Sequence, residues 1–278
     1  MRKCPMSITA DLSEKTAIVT GASSGIGRAI AERMGAAGAH VILSGRTAEP
    51  MEQSAALISD GGGKATVVVG DVRQPSAIDE LITTAMDADG HLDILVNNAG
   101  VSYLGGVLDG NVDQWREMLE INVLALLSGT TAAVAAMRQV GNRGHIVNVS
   151  SVAALRPDSG VYGATKHAVN VITNSLRDEL LEDPIQVVSI MPGLVATNLG
   201  RNADPELLAG IVAMSGIDAE IVQGERLPDE VLEAAQAALA DIMIAPDDVA
   251  DAVLYSVTQP AHVHIPEIVI RPNKNFDF

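Results

Sequence analysis

A glycine-rich turn follows the first apolar strand of the chain. Residues 16–20 read as a short buried strand, residues 21–27 hold three glycines, and a helical pattern follows over residues 28–37. Glycines let the backbone turn sharply and approach a pyrophosphate, which sits against the free N–H groups of the helix N-terminus. The spacing is Gly-x-x-x-Gly-x-Gly, and a purely structural turn is the alternative. In this context we predict nucleotide binding by Gly21, Ser23, Ser24, Gly25, Ile26 and Gly27.

Length and charge limit what such a chain can be. The 278 residues suit one large α/β domain, and with 2% aromatic residues its core must be aliphatic. The 35 acidic residues outnumber the 18 basic ones and give a formal charge of −17. We therefore expect neither a nucleic-acid partner nor an anionic membrane surface, because phosphate binding needs concentrated positive charge. A small anionic ligand held by a few local groups is still compatible with this charge.

Cysteine content and apolar runs indicate a compartment. Cys4 is the single cysteine, so no intrachain disulfide can form, and no apolar signal region follows the basic first residues. No uninterrupted apolar run is long enough for a transmembrane helix. We expect a cytoplasmic protein.

Seven apolar segments read as strands and alternate with helical patterns. They cover residues 16–20, 41–44, 65–69, 93–96, 144–149, 186–190 and 267–270. Two long helical patterns cover residues 112–137 and 162–181. Residues 200–240 are acidic and are interrupted by glycine and proline. We predict that this lid segment is mobile and covers the site, with a rigid subdomain or an oligomer contact as alternatives.

The end of the second strand indicates which dinucleotide binds. An acidic residue there holds the adenine ribose diol in dinucleotide folds, but this chain has Arg46 and no acid. A guanidinium cannot accept hydrogen bonds from hydroxyls, whereas it pairs readily with a 2′-phosphate. Arg46 therefore favours NADP(H) over NAD(H), and Arg28 and Ser23 are further candidates for the phosphate pocket. A solvated loop arginine is the alternative.

Polar and small residues follow the third and fourth strands. Asp71, which precedes Val72, could accept a hydrogen bond from the adenine amino group or cap the helical pattern that starts at residue 75. Asn98, Ala99 and Gly100 follow the fourth strand, and the two small residues permit close approach of a cofactor. Both places are predicted cofactor contacts.

Two asparagines lie in apolar surroundings. Asn97 comes at the end of the fourth strand, where an asparagine can bind its own backbone, and we interpret it as mainly structural. Asn122 interrupts the apolar stretch of helix 112–137, where a buried amide needs hydrogen-bond partners. Asn122 is therefore either a satisfied core residue or the holder of a water near the active site.

Tyr162 and Lys166 are separated by one helical turn in the pattern Tyr-x-x-x-Lys. On a helix, the phenol and the ammonium project from one face. A nearby cation favours phenolate, so we expect Lys166 to lower the pKa of Tyr162 towards the range of a working proton donor. A chance pair on an ordinary amphipathic helix is the alternative. Ser150 and Ser151 follow the fifth strand, at the edge where ligands bind in open α/β sheets.

The joint order of these motifs resembles the short-chain dehydrogenase/reductase family over nearly the whole chain. Residues 265–272 have a weaker resemblance to the branch that contains serine/3-hydroxy-acid and clavulanate-type dehydrogenases. The resemblance implies a Rossmann-type α/β fold, with one domain over residues 1–278, a doubly wound parallel sheet of about seven strands and helices on both faces. The matching pieces are residues 20–27, Asp71, residues 97–100, Asn122, Ser150, Ser151, Tyr162, Lys166, Pro192 and Gly193.

The resemblance also implies roles for individual residues. Tyr162 would be the general acid/base, Ser151 would hold the substrate oxygen, and Asn122 would hold a proton-relay water. Lys166 would lower the tyrosine pKa and bind the nicotinamide ribose. The loop from Ser151 to Tyr162 is shorter than the family's commonest spacing, so the Ser-Ser pair alone favours Ser151 over Ser150. The implied cofactor contacts after the sixth strand are Pro192, Gly193, Val195 and Thr197, with Thr197 at the carboxamide.

The activity implied by this resemblance is that of an NADP(H)-dependent oxidoreductase. It would interconvert a secondary alcohol and a ketone, or a primary alcohol and an aldehyde, on a small substrate that is largely apolar or a hydroxy acid. A non-catalytic NAD(P)-binding protein on the same fold is the alternative from another class. We expect no metal ion and a homodimer or homotetramer.

Overall fold

The computed structural model describes residues 10–108, 110–141 and 143–274, so Cys4 lies outside the described residues. Seven strands form one sheet in which every neighbouring pair is parallel. Each of the seven segments predicted as a strand is one, with ends that differ by at most two residues. The strands are β1 (Thr16–Thr20), β2 (His40–Gly45), β3 (Lys64–Val69), β4 (Ile94–Asn97), β5 (Gly144–Val149), β6 (Ile185–Pro192) and β7 (Glu267–Ile270).

The strand order is β3-β2-β1-β4-β5-β6-β7. β2 and β3 are added in turn on one side of β1. The chain then crosses to the other side of β1, where β4 to β7 are added in order. Parallel strands have all their carboxyl ends at one edge, and the reversal between β1 and β4 opens a crevice at that edge. This is the Rossmann-type doubly wound α/β fold that the sequence predicts.

Helices cover both faces of this sheet. Strands β1, β2 and β5 are buried along their whole length, and strands covered on both faces need apolar residues throughout. The helices are α1 (Gly25–Ala36), α2 (Ala48–Asp60), α3 (Pro75–Asp89), α4 (Val112–Leu119), α5 (Leu126–Val140), α6 (Gly160–Glu179), α7 (Pro205–Ser215), α8 (Asp229–Ala238) and α9 (Pro246–Val257). One core packs the sheet against α1, α2 and α9, and the other packs it against α3 and α5.

The predicted helix over residues 112–137 is interrupted in the middle. A π-helical segment, Glu120–Ala125, joins α4 to α5 and contains Asn122. Such π-helical turns are rare and often occur at functional sites. By length and composition Val112–Val140 could cross a membrane, but half of its most apolar window is buried inside the protein. Some of its apolar side chains, such as those of Ala133 and Met137, belong to the core that the sheet forms with α3 and α5.

The lid segment, residues 200–240, contains two packed helices. α7 and α8 enclose Leu208, Val212 and Leu232, which form a core separate from the two cores of the sheet. The amide of Asn202 donates to the carbonyl of Ser102 at 3.0 Å and ties the segment to the loop after β4. The segment therefore has more regular structure than its sequence indicates.

Buried amides join the carboxyl ends of the central strands to the helices. The Nδ2 of Asn97 donates to Asn148 Oδ1 and to Thr130 Oγ1, each at 2.9 Å. The Nδ2 of Asn148 donates to Thr173 Oγ1, also at 2.9 Å. This network links β4 and β5 to α5 and α6, which is the structural role expected for Asn97.

A Gly27→Ala substitution tests how tightly the glycine turn is packed. A Cβ atom at Gly27 would lie 2.4 Å from both the Gly21 carbonyl oxygen and the Asn98 amide nitrogen. Overpacking of this kind costs ~1–3 kcal/mol, so we expect urea unfolding of G27A to show a loss of that size. Gly210→Ala on α7 is the control, because no atom lies within 4 Å of its added Cβ. A G27A protein as stable as G210A would contradict the packing described here.

Candidate active site

A cleft of about 2300 Å³ runs along the carboxyl edge of the sheet. The ends of β1, β2, β4, β5 and β6 form its floor, and the lid segment forms an outer wall. Pockets for a single drug-sized ligand measure ~300–1,000 Å³. The cleft therefore has room for a dinucleotide and a second molecule.

The cleft is locally cationic although the chain is strongly acidic. It is lined by 6 of the 18 basic residues but by only 5 of the 35 acidic residues. Among these acids, Asp158 is paired with Arg156 at 2.9 Å and Asp204 caps α7. The basic residues are Arg46, Arg156, Lys166, Arg201, Arg226 and Arg271.

Hydrogen bonds fix the glycine turn to the end of β4. The Nδ2 of Asn98 donates to the Thr20 carbonyl at 2.8 Å, and the Thr20 hydroxyl oxygen accepts from the backbone N–H groups of Asn98 and Ala99 at 3.0 and 3.1 Å. Gly21 and Gly25 have φ values of 68° and 55°, in the left-handed region that favours glycine. The two glycines of the turn thus present backbone to the cleft.

The N-terminus of α1 is built to receive an anion. Ser24 is the N-cap residue, but its side chain makes no capping hydrogen bond. The first N–H groups and the helix dipole then favour a phosphate at this position, which Gly25 and Ile26 also line. These features fit the pyrophosphate of a dinucleotide.

Arg46 lies exposed in the cleft just beyond the end of β2. Ser23 is close to this end, because a Cβ atom at Gly45 would lie 3.5 Å from the Ser23 hydroxyl oxygen. The guanidinium of Arg28 pairs with Asp229 of α8 at 2.7 Å. The candidate phosphate pocket therefore contains Arg46 and Ser23, and a contact between Arg28 and the phosphate stays a prediction.

Asp71 is bound to Arg73 and does not cap α3. Its carboxylate accepts from the Arg73 backbone N–H at 3.0 Å and from the guanidinium at 2.6 Å, and the side-chain hydrogen bond lowers the pKa of Asp71. The N-cap of α3 is Gln74, so the capping alternative is wrong. Asp71 and Val72 both line the cleft, and their contact with adenine stays a prediction.

Tyr162 lies in the first turn of α6, with its phenol beside the Ser151 hydroxyl. The Ser151 oxygen also accepts from the backbone N–H of Ala153 at 3.1 Å, which fixes it at the start of a short 3-10 helix. Ser150 differs, because it is buried and its hydroxyl donates to the Lys166 carbonyl at 3.1 Å. Of the two serines, Ser151 is the one whose hydroxyl faces the tyrosine.

Asn122 uses its whole side chain to hold the loop after β4. Its Oδ1 accepts from the Val101 N–H at 2.9 Å, and its Nδ2 donates to the Val101 carbonyl and to Thr165 Oγ1, both at 3.0 Å. A Cβ atom at Gly100 would lie 3.4 Å from Asn122 Oδ1 and 3.7 Å from Lys166 Nζ. Asn122 is thus a satisfied core amide that adjoins the lysine, and a bound relay water stays a prediction.

Burial is the main cause of the shifted pKa values of Tyr162 and Lys166. Burial raises the pKa of Tyr162 to about 12, although the Ser151 hydrogen bond lowers it in part. Burial lowers the pKa of Lys166 to about 8, and its Nζ donates to the Val149 carbonyl at 2.8 Å. Burial therefore holds the pKa of Tyr162 above its ordinary value in this structure, opposite to the direction expected from Lys166.

The end of β6 closes the cleft on the opposite side. Pro192, Gly193, Val195 and Thr197 all line it, as the resemblance implies. The Thr197 methyl carbon lies 2.9 Å from the position that a Cβ atom at Gly25 would take. The two halves of the sheet therefore approach each other between the glycine turn and Thr197.

Most of the predicted site residues line one cleft, and three do not. The three are Gly27, Asn122 and the further phosphate candidate Arg28, whereas the remaining predicted residues all line the cleft. Arg226 of the lid segment, which is not among the predicted site residues, also lines the cleft, and its guanidinium donates to the Ser23 hydroxyl oxygen at 3.1 Å. The sequence does distinguish this residue, because Arg226 is the sole Lys or Arg between residues 202 and 270. The described ranges contain no group of three or more His, Cys, Asp or Glu residues suited to a metal ion.

A family model described as short chain dehydrogenase matches residues 15–207. The chain belongs to this family. An uncharacterized oxidoreductase of Staphylococcus epidermidis is 37% identical over 265 residues, which cover 95% of this chain and 99% of that protein. This short-chain dehydrogenase is accordingly an oxidoreductase.

Solved structures of other family members share its architecture. A metagenomic short-chain oxidoreductase in complex with NADP is 31% identical, with a TM-score of 0.72 over 94% of this chain and 98% of that one. The closed form of a serine dehydrogenase complexed with NADP⁺ is 30% identical, with a TM-score of 0.75 over 92% of this chain and 94% of that one.

Lys166→Met tests the burial of the lysine through the pH dependence of stability. Between about pH 8 and 10.5 the unfolded chain keeps a proton that folded Lys166 has lost, so wild-type stability rises with pH. The change from 10.5 to about 8 corresponds to about 3 kcal/mol at most. We expect the wild type to gain most of this difference over K166M between pH 7 and 10 in urea unfolding of the cofactor-free proteins. A difference that stays constant with pH would contradict the lowered lysine pKa.

Proposed function

We propose that this short-chain dehydrogenase interconverts alcohols and carbonyl compounds with NADP(H). The substrate pair is a secondary alcohol and a ketone, or a primary alcohol and an aldehyde. The observation that carries this proposal is the juxtaposition of the Tyr162 phenol and the Ser151 hydroxyl in the cleft, with Lys166 behind them. A phenol and a second hydroxyl can hold one substrate oxygen between them.

The cleft residues fit a dinucleotide. The glycine turn offers backbone at positive φ, and the open N-terminus of α1 offers N–H groups to a pyrophosphate. A nicotinamide held near the ends of β5 and β6 would supply or accept the hydride. Candidate ligands at that end are Asn98, Gly100, Lys166 and Thr197, all of which line the cleft.

The protein residues handle the proton and the substrate oxygen. Tyr162, whose pKa burial raises, is protonated at neutral pH, so in the reductive direction it has a proton to donate to the carbonyl oxygen. Ser151 holds this oxygen as negative charge develops on it. Lys166 carries a positive charge below about pH 8 and then favours the phenolate that remains on Tyr162.

Arg46 supports NADP(H) as the preferred cofactor over NAD(H). It is the residue after β2, where an acid would be needed to hold a free ribose diol. The metagenomic relative and the serine dehydrogenase, at 31% and 30% identity, are both complexed with NADP or NADP⁺. We propose that Arg46 and Ser23 bind the 2′-phosphate.

The walls of the cleft indicate the substrate class. Leu104, Val152, Leu155 and Leu194 line it with aliphatic side chains, which suits a small apolar substrate. Arg201 adds a cation that could bind a carboxylate, in keeping with the serine dehydrogenase among the related structures. We therefore propose a small substrate that is largely apolar or a hydroxy acid, held under a lid segment that opens and closes.

We also propose a homodimer or homotetramer located in the cytoplasm. Apolar side chains on α4–α6 are exposed, and Leu124 and Val171 are 57% and 52% accessible to solvent. Such patches mark protein–protein contacts when they are contiguous. Light scattering coupled to size exclusion tests the oligomer.

Tyr162→Phe tests the proposed proton donor. Loss of general acid catalysis reduces turnover ~10²–10⁴-fold, so we expect kcat to fall by that factor with NADPH and a reducible ketone. NADP⁺ binding, measured by calorimetry, should change less than about twofold, since the ring stays and only the hydroxyl is lost. Tyr255→Phe on α9, an exposed tyrosine, is the matched control. Near-normal turnover of Y162F would refute the assignment.

Arg46→Asp tests the cofactor preference. The substitution removes the cation and supplies an acceptor for the ribose diol, so the ratio of kcat/KM for NADPH over NADH should fall ~10- to 100-fold. Arg138→Gln, on the remote end of α5, is the control for loss of one positive charge. An unchanged ratio in R46D would show that Arg46 does not contact the 2′-phosphate.

A panel of alcohols and ketones with both cofactors separates the two candidate functions. Oxidation of NADPH that depends on an added ketone supports the reductase. Tight binding of NADP⁺ with no turnover on any member of the panel would favour the non-catalytic NAD(P)-binding protein instead.

A further inference from the structure

Arg226 connects the lid segment to the glycine turn. Its guanidinium donates to the Ser23 hydroxyl oxygen at 3.1 Å and to the Ser23 carbonyl at 3.5 Å. Ser23 is 8% exposed and belongs to the turn between β1 and α1. A side chain from a distant part of the chain therefore reaches the loop that is shaped for a nucleotide.

The contact lies at the end of the cleft where an adenine ribose is held. Ser23 adjoins Gly45, the last residue of β2, and Arg46 follows directly. In doubly wound folds the residue at this strand end contacts the adenine ribose. Tyr162 and Ser151 belong to the far side of the switch point, since three strand spacings of ~4.8 Å, or about 14 Å, separate β2 from β5. Arg226 is thus remote from the proton-transfer site.

Positive charge is concentrated around this contact. Burial lowers the pKa of Arg226, and the nearby cations Arg201, Arg46 and Arg28 lower it further, while Asp229 opposes them. Asp229 is already paired with Arg28 at 2.7 Å. Guanidinium groups gathered in this way repel each other, and a phosphate dianion relieves the repulsion through charge-assisted, bidentate hydrogen bonds.

The backbone next to Arg226 is attached to the wall of the cleft. Asn198 is buried, its Oδ1 accepts from the Leu227 N–H at 2.8 Å, and its Nδ2 donates to the Leu227 carbonyl at 3.0 Å. Asn198 directly follows Thr197, which lines the cleft near the glycine turn. A ligand that holds Arg226 therefore also holds the loop that joins α7 to α8.

We propose that Arg226 is a ligand of the 2′-phosphate of NADP(H), and that this contact holds the lid segment closed over the bound cofactor. The inference rests on the proposed function in taking NADP(H) as the cofactor. It adds a cofactor ligand from outside the glycine turn and the β2 end. It also makes closure of the lid segment depend on which dinucleotide is bound.

Binding of nucleotide fragments to Arg226→Gln tests the ligand. With isothermal calorimetry on the cofactor-free protein, we expect R226Q to bind 2′,5′-ADP ~10- to 100-fold more weakly than the wild type, because charge-assisted hydrogen bonds are lost. Binding of 5′-AMP and of 5′-ADP should change less than about twofold, since neither carries a 2′-phosphate. Arg226→Lys keeps the charge without the planar fork and should lose less than R226Q.

Arg138→Gln is the matched control, because Arg138 is 54% exposed and pairs with Asp183 away from the cleft. It should bind all three fragments like the wild type. Equal affinity of R226Q and wild type for 2′,5′-ADP overturns the proposal. An equal loss for 5′-AMP and 2′,5′-ADP also overturns it, and a loss confined to 5′-ADP would assign Arg226 to the pyrophosphate instead.

Hydrogen–deuterium exchange over residues 205–238 tests the closure. NADP⁺ should slow exchange in wild type and R138Q more than NAD⁺ does, and this difference should vanish in R226Q. Protection of R226Q that equals the wild type with NADP⁺ would overturn the closing role.

These readouts do not depend on turnover. A selective loss of 2′,5′-ADP binding in R226Q with no reductase activity in the wild type would uphold this inference and refute the proposed reaction. A wild type that binds 2′,5′-ADP no more tightly than 5′-AMP would refute both the NADP(H) preference and the role of Arg226.

Discussion

Parallel pairing brings the carboxyl ends of all seven strands to one edge of the sheet. β2 and β3 are added on one side of β1 and the later strands on the other side. The loops after β1 and β4 therefore lead to opposite faces of the sheet and leave a crevice between them. Residues far apart in the sequence, such as Ser23, Asn98, Ser151 and Thr197, then line one cleft. The buried network around Asn97 and Asn148 holds the central strand ends in register with the helices behind them. Every part of the candidate site is therefore positioned by the carboxyl edge of the sheet.

Burial changes the pKa values of both titratable groups in the proton-transfer site, Tyr162 and Lys166. A phenol and an ammonium that are both removed from water are each pushed towards the neutral form, which is why the pKa of Tyr162 rises and that of Lys166 falls. The protein keeps the lysine in place by a hydrogen bond to the Val149 carbonyl. Burying charged Lys166 lowers the free energy of unfolding of the protein at neutral pH. The same desolvation favours the protonated form of Tyr162.

The cleft and the chain as a whole differ in the sign of their charge. The chain as a whole is acidic, which keeps it away from polyanions, whereas the cleft collects a third of the basic residues. The lid segment follows the same division, because it is acidic except for Arg201 and Arg226, and both line the cleft. An anionic cofactor is thus attracted by local groups in a protein whose long-range field would repel it.

The fold could be predicted from the sequence almost completely, because it depends on local patterns. Apolar segments of strand length fix the strands to within two residues at each end, and the joint order of the motifs, with the glycines after β1 and the spacing of Tyr162 and Lys166, fixes the family. The helices are predicted less closely, because the π-helical segment Glu120–Ala125 has no signal in the sequence pattern and α1 begins three residues before its predicted start. The sequence also identified most of the cleft. What it could not supply was any property that depends on neighbours distant in the chain.

Only the tertiary structure decided those properties. It showed that Arg28 of α1 pairs with Asp229 of α8. It reversed the expected direction of the tyrosine pKa, since sequence spacing reports the nearness of a lysine but not the loss of water around both groups. It also brought Arg226 to Ser23 across 203 residues of chain, a contact that no local pattern can encode.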